Sequence, residues 1–166
     1  PFVKNIGGLN LQIMKAQDSH LDDLLDLERH VYHGQTPWNR FSFKSELKKH
    51  HNSLYLVAYD GSALVAFVGA RFTPEDGHIT NVAVRPEYQH RGIGTFLVAM
   101  MIDYAKQNDC GQMSLEVRID NKGAQKVYEK LGFTVHKVRE NYYVTEHVDG
   151  LNMTLQLKKG AKPVED

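Results

Sequence analysis

The chain has 166 residues, enough for one ordinary domain with a core of its own and too few for two. Lys plus Arg and Asp plus Glu each number 20, so the formal net charge is zero and no overall field selects nucleic acid or an anionic membrane. Apolar runs fall short of a bilayer span, no charged-then-apolar leader opens the chain, and one cysteine cannot form an internal disulfide, so the expectation is a soluble, cytoplasmic protein in a reducing compartment.

Pro1 to Leu9 carries two adjacent glycines and little periodicity. Residues 1–10 read as an extension of no assigned role, and the missing initiating methionine suggests either processing or an artificial boundary of the sequence. Leu11 to Met14 fits a first strand. Asp18 or Ser19 is placed to cap a helix carrying Leu21, Leu24, Leu25, Glu28 and Val31, with Asp22 and Asp23 near its positive end. His33-Gly34-Gln35-Thr36-Pro37-Trp38 breaks that helix, and Ser42 can cap a second, short one bearing Phe43 and Leu47 on one face. Trp38 has two compatible readings, a core plug or a wall of the acceptor cleft.

Leu54 to Tyr59 and Ser62 to Phe72 are β-rich and flank Asp60-Gly61, a two-residue hairpin signal. Thr73 to Gly77 makes a second turn. Ile79, Val82, Ala83 and Val84 form the next strand, which Pro86 stops. A polar turn with Gly92 and Gly94 follows, and then a helix whose Ile93, Phe96, Leu97, Met100, Met101 and Tyr104 share an apolar face.

Strand, glycine turn and helix together suggest an anion site. The first amides of a helix have no intrahelical partner, and the macrodipole adds roughly half a positive charge there. With side chains absent at Gly92 and Gly94, the amides from Gln89 through His90, Arg91, Gly92, Ile93 and Gly94 to Thr95 can wrap a pyrophosphate.

Beyond that helix, Cys110 sits at a turn and reads as a structural thiol. Met113, Leu115, Val117 and Ile119 alternate with Ser114, Glu116 and Arg118 in a strand. Asp120 or Asn121 caps a helix bearing Ala124, Val127, Tyr128 and Leu131, which Gly132 ends. Phe133 to Val138 is a strand, Arg139 to Gly150 a polar hairpin, Leu151 to Leu157 a last strand, and residues 158–166 a frayed tail. The nine histidines form no His-Glu-x-x-His helix, and no metal is expected. The order of elements predicts an α/β fold, a single domain over residues 11–157 with a mixed, mostly antiparallel twisted sheet and helices on both faces.

The spacing Gln89-x-x-Gly92-x-Gly94 resembles the acyl-coenzyme A loop of the GNAT N-acetyltransferases. TPW in the first inter-helix loop, NVAVRPEYQHRGIG, LEVRIDNKGAQKVYEKLGF and ENYY are similar, more narrowly, to the bacterial ribosomal-protein alanine N-acetyltransferases of the RimI type. The resemblance spans nearly everything from Leu11 to Leu157. It implies acetyl-coenzyme A as donor and a protein N-terminal α-amine as acceptor. It also implies acyl contacts from the backbone of Val82, Ala83 and Val84, a general base at Glu116, a general acid at Tyr128, and a pantetheine contact at Asn121. Trp38, Tyr142 and Tyr143 would flank the peptide groove. His90 stands where the family commonly has arginine, and His33 to Thr36 departs from the usual phenylalanine-proline lead into the tryptophan.

Taken as chemistry alone, a carboxylate near ~4.3 is matched more easily to an α-amine near ~8 than to a lysine near ~10.4, and a water relay can carry the proton. Other readings stay open. Glu116 is equally half of a cross-strand charge pair, Tyr128 a packed core tyrosine, Asn121 only a helix cap, and Tyr142 and Tyr143 ordinary strand partners. Two rival functions remain: transfer to a polyamine or aminoglycoside, for which Asp22, Asp23 and Asp26 would build an acidic pocket, or a non-catalytic coenzyme-binding module. A monomer or weak dimer is expected.

Overall fold

The computed structural model describes residues 1–31, 39–48, 52–144 and 146–158. Among them the elements run β1 (Phe2–Ile6), β2 (Leu9–Lys15), α1 (Leu21–Val31), α2 (Arg40–Leu47), β3 (Ser53–Asp60), β4 (Ala63–Phe72), β5 (Asp76–Val84), α3 (Ile93–Gln107), β6 (Gln112–Arg118), α4 (Lys122–Lys130), β7 (Thr134–Tyr143) and β8 (Val148–Gln156). The strands lie in one open sheet in the order β1-β2-β3-β4-β5-β6-β8-β7. β5 and β6 pair in parallel, and the ladders of β1 with β2, β2 with β3, β3 with β4, β6 with β8 and β7 with β8 are antiparallel.

The chain divides into two compact units, Pro1–Arg71 with Asn81–Val98, and Phe72–Thr80 with Ala99–Asp166. The core of the first gathers the apolar stripe of α1 (Leu21, Leu24, Leu25, Leu27) with Phe43 of α2 and Tyr55, Val57, Leu64 and Phe67 of the β3–β4 hairpin. Phe43 meets Phe67 edge-on at 5.7 Å. Each such fully buried side chain is worth about 1.5–3 kcal/mol in area removed from water. In the second unit the buried residues of β6, Met113, Leu115 and Val117, pair with Leu155, Met153 and Leu151 of β8.

Several expectations shift. Pro1 to Leu9 is not featureless: β1 pairs with β2 through a two-residue turn at Gly7 and Gly8, both at positive φ (57° and 85°). The signal was in the sequence, since adjacent glycines between apolar residues suit a tight hairpin. The cap ahead of α1 is neither Asp18 nor Ser19. A single 3-10 turn spans Asp18–His20 after Gln17, whose amide donates to His20 Nδ1 at 3.0 Å. Asn39, not Ser42, caps α2: its Oδ1 accepts from the Ser42 amide at 2.9 Å while Ser42 Oγ accepts from the Asn39 amide at 2.8 Å, a reciprocal capping box.

The buried face of α3 is Ile93, Leu97, Val98, Met101, Ile102 and Ala105. It is rotated from the expected one, which included Phe96, Met100 and Tyr104. Phe96 lies instead under Lys4 at 5.7 Å, and Tyr104 tilts onto Phe72 at 4.9 Å. Periodicity fixes that a helix has an apolar side, whereas two adjacent stripes, both apolar here, are separated only by what packs on them. Cys110 behaves as expected: buried, its thiol pushed up by burial, donating to the Thr73 carbonyl at 3.3 Å.

Candidate active site

The glycine turn belongs to the first unit. β5 ends at Val84, a 3-10 turn covers Pro86–Tyr88, and Gln89 to Gly92 lead into α3. Three bonds pin the entry. Arg85 donates from Nε to the Leu64 carbonyl (2.6 Å) and from Nη2 to Asp26 (2.7 Å), and the Tyr88 hydroxyl donates to Asp60 (2.8 Å). Arg85 also holds the Asp26 carboxyl below its ordinary value. Gln89 closes the turn on itself by donating to the Val84 carbonyl at 3.0 Å.

His90 and Gly92 take left-handed φ of 63° and 87°. That geometry is costly for a residue with a Cβ and free for glycine. The first helical bond of α3 runs from the Phe96 amide to the Gly92 carbonyl at 3.0 Å. The amides from His90 to Thr95 therefore lie ahead of the helical ladder, with no acceptor among the described residues. Arg91 and Gly92 are exposed, so the cradle faces solvent. Behind the turn sits the β1–β2 hairpin, where a Cβ built on Gly7 would fall 2.8 Å from both Cβ and the carbonyl oxygen of Arg91. Val82 and Val84 are half-buried, while Ala83 faces the core between them.

Glu116 belongs to the second unit, on β6 between buried Leu115 and Val117. Its side chain is only 9% exposed and well held: Arg139 Nε donates to Oε2 at 2.9 Å, and Asn152 Nδ2 reaches Oε2 at 3.1 Å and Oε1 at 3.3 Å. Asn152 is the register partner of Glu116 on β8, and Arg139 reaches in from β7. The cross-strand charge-pair reading is thus realised, with Arg139 of β7 as the partner. Arg118 turns away to Asp120, at 3.0 and 2.9 Å. His78 Nε2 approaches Glu116 Oε1 to 3.9 Å.

Tyr128 is half-buried on α4, edge-on to Phe133 at 6.0 Å, and burial pushes its phenol up to about 12. Asn121 caps α4, its Oδ1 accepting from the Ala124 amide at 3.1 Å. Tyr142 and Tyr143 end β7 and meet edge-on at 5.1 Å, with Arg139 over the first ring at 6.0 Å and Arg118 over the second at 5.7 Å. Burial pushes Tyr143 up to about 12, and Tyr142 and Glu116 add to it. Tyr143 also pairs with Val148 and is half-buried, whereas Tyr142 is exposed. Trp38 lies outside the described residues. Arg139, Asn152 and His78 escaped the sequence reading because each reaches Glu116 from another strand. A cavity of about 420 Å³ lined by Lys15, Asp18, Glu46, Lys48, Ser53 and Tyr55, among others, contains none of the expected site residues.

A solvent-facing amide cradle at the head of α3, entered from the end of β5, suits an acyl-coenzyme A enzyme, and the chain belongs to the acetyltransferase (GNAT) family, whose model matches residues 19–133. It is an N-acetyltransferase with acetyl-coenzyme A as acyl donor. The relatives narrow the type. The chain is 31% identical over 146 residues, 88% of itself and 94% of the relative, to a Bacillus subtilis protein described as a putative ribosomal protein bS18-alanine N-acetyltransferase. It is 34% identical to the N-alpha-acetyltransferase RimI of Mycobacterium tuberculosis, covering 77% of this chain and 81% of that one. The crystal structure of the ribosomal-protein-S18-alanine N-acetyltransferase of Escherichia coli superposes with a TM-score of 0.80 at 25% identity, over 94% of this chain and 99% of that one.

Proposed function

We propose that this chain transfers acetyl from acetyl-coenzyme A to the α-amine of a protein N-terminus, an N-terminal alanine of a ribosomal protein, by direct attack within a ternary complex in the cytoplasm. The amide cradle carries the reading: amides from His90 to Thr95 take the diphosphate, and the helix dipole offsets the arginine missing at position 90. Asn121 reaches the pantetheine arm with its amide NH2, the end its capping bond leaves over. The backbone of Val82 to Val84 receives the acyl group and polarises its carbonyl. Glu116 accepts the ammonium proton directly or through water. Tyr128 donates a hydrogen bond to the departing sulfur. Tyr142, Tyr143 and Trp38 contact the acceptor peptide.

Tyr128 suits a donor better than a full acid. A phenol at about 12 keeps its proton at every physiological pH, but handing it to a thiolate of ordinary value about 8.5 runs uphill. The sulfur's proton then comes from the ammonium of the tetrahedral adduct. The polycation rival loses its footing, because the carboxylates it needs are already used: Arg40 pairs with Asp22, Tyr59 donates to Asp23 at 2.7 Å, and Arg85 pairs with Asp26 at 2.7 Å.

Thiol release from acetyl-coenzyme A against N-terminal alanine peptides, lysine peptides with blocked N-termini, and polyamines tests the reading. Turnover on the alanine peptides is expected to exceed the others by at least ten-fold. Turnover on polyamines alone would transfer the assignment to the rival.

A further inference from the structure

The buried residue of α4 is polar. Gln125 is 8% exposed, while Ala124, Val127 and Tyr128 beside it are only half-buried. A primary amide withdrawn from water costs free energy unless its hydrogens are bonded. Gln125 Nε2 lies 3.0 Å from the Arg118 carbonyl and 3.0 Å from the Ile119 carbonyl. Carbonyls only accept, so both amide hydrogens are used and the orientation of the side chain is fixed.

Those two carbonyls close β6. Arg118 stands opposite Gly150 of β8, the Ile119 amide donates to the Asp149 carbonyl at 2.9 Å, and the Asn121 amide returns to the Arg118 carbonyl at 3.0 Å. The chain then enters α4, where the Gln125 backbone amide donates to the Asn121 carbonyl at 3.2 Å. Asn121, Gln125 and Tyr128 follow one another at spacings of four and three, which stacks them on one side of the helix. Gln125 therefore sits between the pantetheine contact and the donor to sulfur argued above, and ties both to the end of the strand that carries Glu116. All of these residues belong to the second unit.

We propose that Gln125 is a positioning residue: its amide seats α4 on the end of β6 and thereby holds Asn121 and Tyr128 in place relative to Glu116. It touches no reacting atom. The inference rests on the acetyltransferase reading above, through the roles given there to Asn121 and Tyr128. Without the two donors, a pair of buried carbonyls faces an apolar group, and the helix relieves that by moving outward until water reaches them. A displacement of about 1 Å at a distance from the chemistry can cost about 10²-fold in rate.

The test uses the full chain with Gln125→Met, Gln125→Glu, Asn121→Ala and the double variant of Gln125→Met with Asn121→Ala, at a temperature where circular dichroism shows each to be folded. Gln125→Met keeps the shape of the side chain and loses both donors. It is expected to weaken coenzyme A binding about ten-fold by calorimetry and to lower kcat about 10- to 10²-fold. In the Asn121→Ala background the same substitution should weaken binding by less than about two-fold further, because the contact it acts through is already gone. Gln125→Glu adds a pH readout. The ionised carboxylate repels the two carbonyls, whereas the protonated carboxyl donates to one of them, so burial and the carbonyls hold this group above the ordinary glutamate range. Relative to the unsubstituted protein, affinity and kcat of Gln125→Glu should be highest near about pH 6 and decline as pH rises, while the same ratios for Gln125→Met stay flat. Coenzyme affinity and kcat of Gln125→Met within about two-fold of the unsubstituted protein, with only the melting temperature lowered, would overturn the proposal. Full additivity with Asn121→Ala, or a flat pH ratio in Gln125→Glu, would do the same. An unsubstituted protein that takes up no coenzyme A sinks the functional reading and this inference with it; normal uptake and turnover beside indifferent Gln125 variants sinks this inference alone.

Discussion

Arg139 reaches across the sheet from β7 to place its Nε 2.9 Å from Glu116 Oε2, where the carboxylate also accepts from Asn152 at 3.1 Å. One side chain thereby loses most of its freedom and its access to water. Removing the cation leaves a largely buried charge with one neutral donor, which typically costs about 1–3 kcal/mol. Arg139→Gln is expected to lower the unfolding free energy read from urea titration by that order and kcat by at least ten-fold, with coenzyme affinity unchanged. Unaltered kcat in a folded variant would show that the pair is architectural only.

Gly92 and Gly94 of the turn ahead of α3 separate backbone need from ligand need. A Cβ on Gly94 would meet only Val84 Cγ2, at the ordinary contact distance of 3.5 Å, whereas Gly92 sits at φ 87° with nothing nearer than 4.0 Å. Gly92→Ala should therefore destabilise the free protein by about 1 kcal/mol or more through strain. Gly94→Ala should leave thermal stability almost unchanged and weaken coenzyme A binding at least ten-fold, because the new methyl occupies the ligand's approach. Calorimetric affinity beside a melting curve separates them; equal coenzyme affinity in Gly94→Ala would remove the steric argument for the cradle.

Gly7 couples the N-terminal hairpin to the same turn. A methyl there meets Arg91 at 2.8 Å and must also adopt φ 57°. Gly7→Ala is predicted to cost about 1–3 kcal/mol and to loosen coenzyme binding without touching any ligand-facing atom. Calorimetry that finds affinity intact alongside the lost stability would confine the hairpin to a structural role.

Alkaline conditions test the tyrosines. Burial and the Asp23 hydrogen bond raise Tyr59, burial raises Tyr128 to about 12, and burial raises Tyr143 to about 12. A group whose folded value lies above its unfolded value, about 10 for tyrosine, stabilises the fold below that unfolded value and loses the contribution as pH climbs toward the folded one. Stability should therefore fall between about pH 10 and 12, less steeply in Tyr128→Phe. The same shift predicts that no alkaline limb in kcat below about pH 10 belongs to Tyr128, and a Tyr128→Phe profile that moves such a limb would contradict it.

Much of the fold was legible in residue order alone. Alternation marked β6 and β8, Gly132 ended α4, the β3–β4 hairpin turned one residue later than Asp60-Gly61, at Gly61 and Ser62, and the Gln89 to Gly94 spacing marked the turn ahead of α3, because these features are written in neighbours along the chain. The caps of α1 and α2 were misplaced by one to three residues and the buried face of α3 by a stripe, since several nearby residues had the right chemistry and only packing chose among them. The β1 hairpin was overlooked although its glycine pair was visible. What the sequence determined by itself was a strand, a glycine turn and a helix in succession, and a carboxylate on a strand. What only tertiary structure decided was the company that carboxylate keeps: Arg139, Asn152 and His78 arrive on three other strands, and strand register, a long-range property, brings distant residues side by side with no local trace.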